Sequence, residues 1–200
     1  SDNDQLVTSV SDVKRLLNSV GLAFTNTRMA YASEFGLYAD ITTNEFKIIR
    51  SNGQTVQISE YNRGASDQFP EYAFTAWYTA MARANKTLEA IDKLNLQDDE
   101  LENIKGQLYA WRALCLFDAA RLFCFIPRNT DVNKANSGMI ISDQVYEPDY
   151  QPARNTLKET YDQVIKDFTT AIPLLAKDNG CGYFSKYAAV ALRARAYLYR

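Results

Sequence analysis

The sequence predicts a mainly α-helical protein, built of helix pairs stacked on one another around a long insertion of loop and short strand. Three observations carry this. Apolar residues recur at steps of three and four along most of the chain. Two of the helical segments repeat each other at a constant offset. Residues 25–70 are different: short β-prone pieces, "EFKIIR" and "TVQIS", are broken up by Gly, Asn, Ser and Thr.

The first helix is expected over residues 9–24, where Val10, Val13, Leu17, Val20 and Phe24 mark one apolar face. In the insertion that follows, Asn52-Gly53 stands between the two β-prone pieces and suits a hairpin turn. A second helix is expected over 71–94. A third begins near Asp98, with Asp98, Asp99, Glu100 and Glu102 crowding the turn whose free N–H groups favour negative charge. It should run to about residue 125, with Pro127 just beyond. Residues 127–155 form a second loop, ending in "YEPDYQPAR".

Thr156 and Glu159 have the spacing of a capping box and open a fourth helix. Tyr161, Val164, Ile165, Phe168, Ile172 and Leu175 form its apolar stripe; Lys158, Asp162, Lys166 and Asp167 are placed largely outside it. "KDNGCG" ends that helix, and Ser185 caps a fifth that reaches Arg200 with no Gly, Asn or Pro to stop it. Residues 1–200 are therefore read as one domain, the front part of a longer protein, with helix pairs at 71–126 and 156–200.

The third and fifth helices match at Trp111 and Tyr187, Ala113 and Ala189, Leu116 and Leu192, Ala120 and Ala196, Leu122 and Leu198, and Phe123 and Tyr199. Each follows another helix across a connection. Ala188, Ala191 and Ala194 are small enough to let a neighbouring helix approach closely. This is the logic of tetratricopeptide-type pairs, which bury by stacking what one pair would expose. An irregular helical bundle fits the pattern equally well.

Composition narrows the function. Hydrophobic residues make up 46% and charged residues 23%, and the net charge is -2. Nucleic-acid binding needs a clustered basic surface that this balance does not supply. There is no histidine, which removes the usual Ser or Cys triads and most zinc sites. A hydrolase would need two carboxylates across one cleft, roughly 5–10 Å apart, and no spacing marks such a pair. Asp, Glu, Lys and Tyr chemistry stays open, but no cofactor or metal site is expected. Cys115 and Cys124 sit nine residues apart on one helix, too far to bridge, and are read as buried thiols.

The segment "WRALCLFDAARLFCFIP" is apolar on every side yet carries Arg112, Asp118 and Arg121. Asp118 and Arg121, three apart, share a face and are expected to pair. Arg112 points away from them. It is expected to run its stem along the core and send its guanidinium to backbone carbonyls or to a carboxylate on a neighbouring helix. All three are read as structural charges that fix helix register, so Asp118→Ala should impair folding.

The same stretch, "KGQLYAWRALCLFDAARLFCFIP", resembles the signature helix of the SusD/RagB family of outer-membrane nutrient-binding lipoproteins. The shared elements are Gly106, Arg112-Ala113-Leu114, Phe117-Asp118, Arg121-Leu122-Phe123 and Pro127. "WYTAMARANKTLEAID", with Asn85, "PARNTLKETYDQVIKDFTTAIPLL" and "SKYAAVALRARAYLYR" resemble the family's other helices, in its order. Members usually turn through Gly before the Pro, where this chain has Cys124-Phe125. A positive φ at Cys124 would cost about 1 kcal/mol or more.

The resemblance implies a non-enzymatic protein held on the outer membrane of Bacteroidota by an N-terminal lipid. It implies a SusD-like α-α superhelix in which tetratricopeptide-like helices serve as scaffold and loops hold the ligand. It implies two partners: an oligosaccharide or polysaccharide, in some members a peptide, and a SusC-like TonB-dependent transporter that receives it. Asp40, in "LYAD", resembles a family position near the site. Around it the insertion offers Arg50, Tyr61, Asn62, Arg63 and Phe69, an aromatic, amide and guanidinium set suited to sugar faces and hydroxyls. Tyr146 and Tyr150 in the second loop are weaker candidates, and Trp77, at core spacing in its helix, is assigned to the core. The competing reading is a tetratricopeptide-like protein–protein scaffold without a sugar site.

Overall fold

The computed structural model describes residues 7–24 and 69–200. Among these residues five helices follow in chain order: α1 (Val10–Leu22), α2 (Phe69–Leu94), α3 (Asp99–Phe123), α4 (Leu157–Leu174) and α5 (Lys186–Tyr199). A single 3-10 turn, Pro127–Asn129, follows α3, and the described residues contain no strand. The predicted hairpin at Asn52-Gly53 lies outside them.

Side chains set the helix starts. Ser9 and Asp12 make a reciprocal capping box on α1. Asp98 stands just outside α3 and accepts from the backbone N–H groups of Glu100 and Leu101, so it is a cap and not a first-turn residue. The predicted box on α4 forms: Thr156 N–H donates to the Glu159 carboxylate at 2.8 Å, and Glu159 N–H donates to Thr156 Oγ1 at 3.1 Å. Ser185 caps α5 by accepting from Ala188 N–H.

α3 ends at Phe123, two residues earlier than expected. Cys124 is extended, at φ -115°, so the chain leaves the helix without the left-handed turn that would have strained it. Ile126, ahead of Pro127, is extended as well, so the helix does not resume. Cys115 is buried, but Cys124 is only half-buried, which corrects the expectation for that thiol.

Consecutive helices pack as neighbours, and α3 touches all four others. That position accounts for its apolar surface on every side. The core runs through Trp77, Phe117 and Phe168, each fully buried, and confirms the assignment of Trp77. Gly106 sits where α3 meets the end of α4; a Cβ there would lie 2.9 Å from Leu175 Cγ. Gln107 ties the segment leading into α5 to α3. Its amide donates to the Phe184 carbonyl at 2.6 Å and accepts from Phe184 N–H at 2.7 Å.

The repeat is half visible in the packing. Ala113 and Ala189 are both buried, as are Ala120 and Ala196. Elsewhere α5 departs from α3. Ala191 and Ala194 are exposed, not packed against a helix, and Tyr187, Val190 and Leu198 face outward with them. α5 lies at the edge of the described residues, whereas α3 lies at their centre.

Candidate functional site

Arg112 lies buried on α3 and forks onto Asp167 of α4, with Nε to Oδ2 at 2.7 Å and Nη2 to Oδ1 at 2.6 Å. Its remaining nitrogen, Nη1, donates to Asn85 Oδ1 of α2 at 3.0 Å and to the Asp143 carbonyl at 2.8 Å. Burial alone would make the guanidinium easier to deprotonate, but the Asp167 carboxylate outweighs that and holds the charge more firmly than usual. Asn85 continues the network: its amide donates to the carbonyls of Ser142 and Gln144. Gln163 donates to Asp167 Oδ1 at 3.0 Å. Two helices, α2 and α3, thus grip the backbone of residues 142–144, and α4 braces the α3 guanidinium that does so.

This bears out the expectation for Arg112 and names its carboxylate. Asp167 is the correction: it was placed largely outside the α4 stripe but is 1% exposed. The signal was available, since Val164, Asp167, Phe168 and Ala171 follow the i, i+3, i+4, i+7 spacing of one face. The second expected pair also forms, Arg121 Nη1 to Asp118 Oδ1 at 3.1 Å. Arg121 further lies over the rings of Phe117 and Tyr199, and so ties α3 to α5.

Beyond the clamp the loop rises into an aromatic tip. The rings of Tyr146 and Tyr150 stack 4.5 Å apart and 7° from parallel. Tyr146 donates its hydroxyl to Asp143 Oδ1 at 2.6 Å. Partial burial and that bond push its pKa up to about 12. Comparison of wild type with Tyr146→Phe by alkaline absorbance titration should therefore show a missing phenolate step near 12. A missing step at about 10, the ordinary tyrosine value, would mean the Asp143 bond is not made.

Opposite the tyrosines, Arg154 donates through Nε to the Gly138 carbonyl at 2.7 Å, with Nη2 3.7 Å from Cys124 Sγ. Between lies an open cleft of about 560 Å³, lined by Asp143, Tyr146, Tyr150, Arg154, Glu159 and Gln163 among others. A second cleft of about 490 Å³ shares Asp143 and Gln163 and reaches down to Asn85, Arg112 and Asp167. Among the described residues no group of His, Cys, Asp and Glu is arranged to hold a metal ion.

Of the residues expected to touch ligand, Asp40, Arg50, Tyr61, Asn62 and Arg63 lie outside the described residues. Phe69 is the first residue of α2. Tyr146 and Tyr150, the weaker candidates, are described and line a cleft.

Stacked helix pairs that clamp a loop, and a loop that carries a polar and aromatic cleft, define a tetratricopeptide-like scaffold. The SusD-like family model, described as starch-binding and associating with the outer membrane, matches residues 1–198. The chain belongs to that family. Among solved structures it is similar to a Bacteroides vulgatus protein provisionally described as sugar-binding, at 28% identity and a TM-score of 0.84, covering 97% of this chain and 43% of that one. A SusD superfamily protein of Bacteroides thetaiotaomicron is 25% identical with a TM-score of 0.77, over 95% of this chain and 42% of that one. A laminarin-binding SusD-like protein shares the fold at 16% identity and a TM-score of 0.73, over 94% of this chain and 40% of that one. The chain thus spans less than half the length of these structures. No protein with a curated description matches it.

Proposed function

We propose that this protein captures a glycan at the outer-membrane surface and passes it to a SusC-like TonB-dependent transporter, without chemical turnover. The family match over residues 1–198 is the observation that carries the reading. A scaffold that spends its buried charges on holding a loop supports it. So does the laminarin-binding neighbour of the same fold. No helix among the described residues is long and apolar enough to cross a membrane, and attachment by an N-terminal lipid is part of the proposal. So is the division of the chain: residues 1–200 form one unit, the N-terminal part of a longer SusD-like protein. Asp40, Arg50, Tyr61, Asn62, Arg63 and Phe69 are proposed as ligand contacts.

The test uses the full-length chain. Retardation in native gels containing laminarin, amylopectin, galactomannan or xylan is expected for at least one polymer, with no release of reducing ends. Co-purification with a TonB-dependent transporter from the native membrane tests the second partner. Absence of retardation by any polysaccharide, neutral or acidic, or hydrolysis of any of them, would overturn the reading.

A further inference from the structure

The aromatic tip of the second loop is built to stay open. Tyr150 N–H donates to the Glu147 carbonyl at 3.0 Å, which closes a turn over Pro148 and Asp149. Proline at this position pre-sets the turn. Tyr146 is pinned through its hydroxyl to Asp143, whose own carbonyl is pinned by buried Arg112. Tyr150 stacks on that fixed ring and is still 51% exposed. Among the described residues an apolar ring face is therefore held uncovered by hydrogen-bonded supports, where collapse onto the core would bury more surface. A face presented in this way loses little freedom when a ligand covers it.

The polar groups around the ring define what fits. Asp143, Glu159, Gln163 and Arg154 line the same cleft. Arg154 makes no ion pair among the described residues, and its Nη1 donates to none of them. Glu147 and Asp149 stand exposed on the turn. A flat hydrophobic face with carboxylates, an amide and a guanidinium at its edge matches a pyranose, which has a C–H face and a rim of hydroxyls. Four carboxylates against one guanidinium would repel a polyanion.

We propose that the cleft between the Tyr146–Tyr150 stack and α4 is a contact site for neutral polysaccharide, built from residues other than the insertion candidates, with the outer face of Tyr150 as the sugar platform. The proposal rests on the glycan-capture reading and adds to it a place and a ligand class.

The test titrates the full-length protein in native gels against neutral polymers (laminarin, amylopectin, galactomannan and xylan) and acidic ones (polygalacturonate and alginate). Tyr150→Ala is expected to weaken retardation by the bound neutral polymer about tenfold, the scale of one aromatic contact. Tyr150→Phe, which keeps the flat ring, should recover most of that loss. Tyr187→Ala, on the exposed face of α5, should bind as wild type does. Circular dichroism confirms that each variant is folded. Wild-type retention on a neutral polymer with Tyr150→Ala unchanged would overturn this site and leave the glycan-capture reading standing. Retention on the acidic polymers alone would overturn the ligand class. Wild-type retention on no polymer would overturn the glycan-capture reading, and this proposal with it.

Discussion

Arg112→Ala is expected to destabilise the protein by about 3–5 kcal/mol, the range for breaking one half of a buried ion pair. The reason is what remains. Asp167 would keep a carboxylate that is 1% exposed, with only the Gln163 amide beside it. Asn85 Oδ1 and the Asp143 carbonyl would lose their donor as well. Urea denaturation measures the loss, and added salt should change it little, because screening acts weakly on buried pairs. Asp167→Asn should cost nearly as much, since the guanidinium would then be the unpaired charge. The double variant Arg112→Met, Asp167→Leu should recover a large part, since no buried charge is left over. It should not recover all, because Asn85 and Asp143 still lack a partner. A single-variant loss below about 1 kcal/mol, the range of an exposed pair, would show that water reaches the site.

The same network has a second readout. Arg112 and Asn85 hold the carbonyls of residues 142–144, and Asp143 in turn holds Tyr146. Arg112→Ala should therefore reduce glycan retention even under conditions where the protein is fully folded. A charge that only fixed helix register would leave retention unchanged. Scaffold stability and loop position are coupled through one guanidinium.

How much of this was legible beforehand depended on the range of the cause. Helix starts were readable because capping is local: Thr156 and Glu159 lie three residues apart and act on each other. The burial of α3 was readable because its apolar residues fall on every side. Arg112 announced itself as a charge in such a segment. Asp167 did not, because it sits among exposed Lys166 and half-buried Asp162 in a helix rich in charge, and only its spacing from Val164 and Phe168 betrays it. The end of α3 was misplaced because the chain turns extended at Cys124, three residues ahead of Pro127. Ala191 and Ala194 leave room for a close neighbour, and no described residue takes it up. The cleft lay beyond local reading altogether, since α4 and the loop meet only in the folded chain.

Gly138→Ala should be the most damaging of the glycine substitutions in the second loop and the α4–α5 connection, and its cause is of this long-range kind. Nothing in the sequence around Gly138 distinguishes it. In the fold, a Cβ there would lie 2.3 Å from the Thr156 carbonyl oxygen, 2.6 Å from its carbon and 2.3 Å from Thr160 Oγ1. Two of those atoms are backbone at the cap of α4, so no side-chain rotation relieves them. Nor can Gly138 move away freely: its N–H donates to the Asn155 carbonyl at 2.8 Å, and its carbonyl accepts from Arg154. Overpacking costs typically about 1–3 kcal/mol, and a clash with pinned backbone belongs at or above the top of that range. Gly180→Ala is the control, because that glycine has φ +76° but open space around it. It should cost only the left-handed penalty of about 1–2 kcal/mol. Adding Thr160→Ala should not rescue Gly138→Ala, since the Thr156 contacts persist. Equal urea midpoints for the two glycine variants would show that the loop yields where the packing says it cannot. A larger loss at Gly138, accompanied by weaker glycan retention, would place Arg154 and the cleft wall under the control of one missing methyl group.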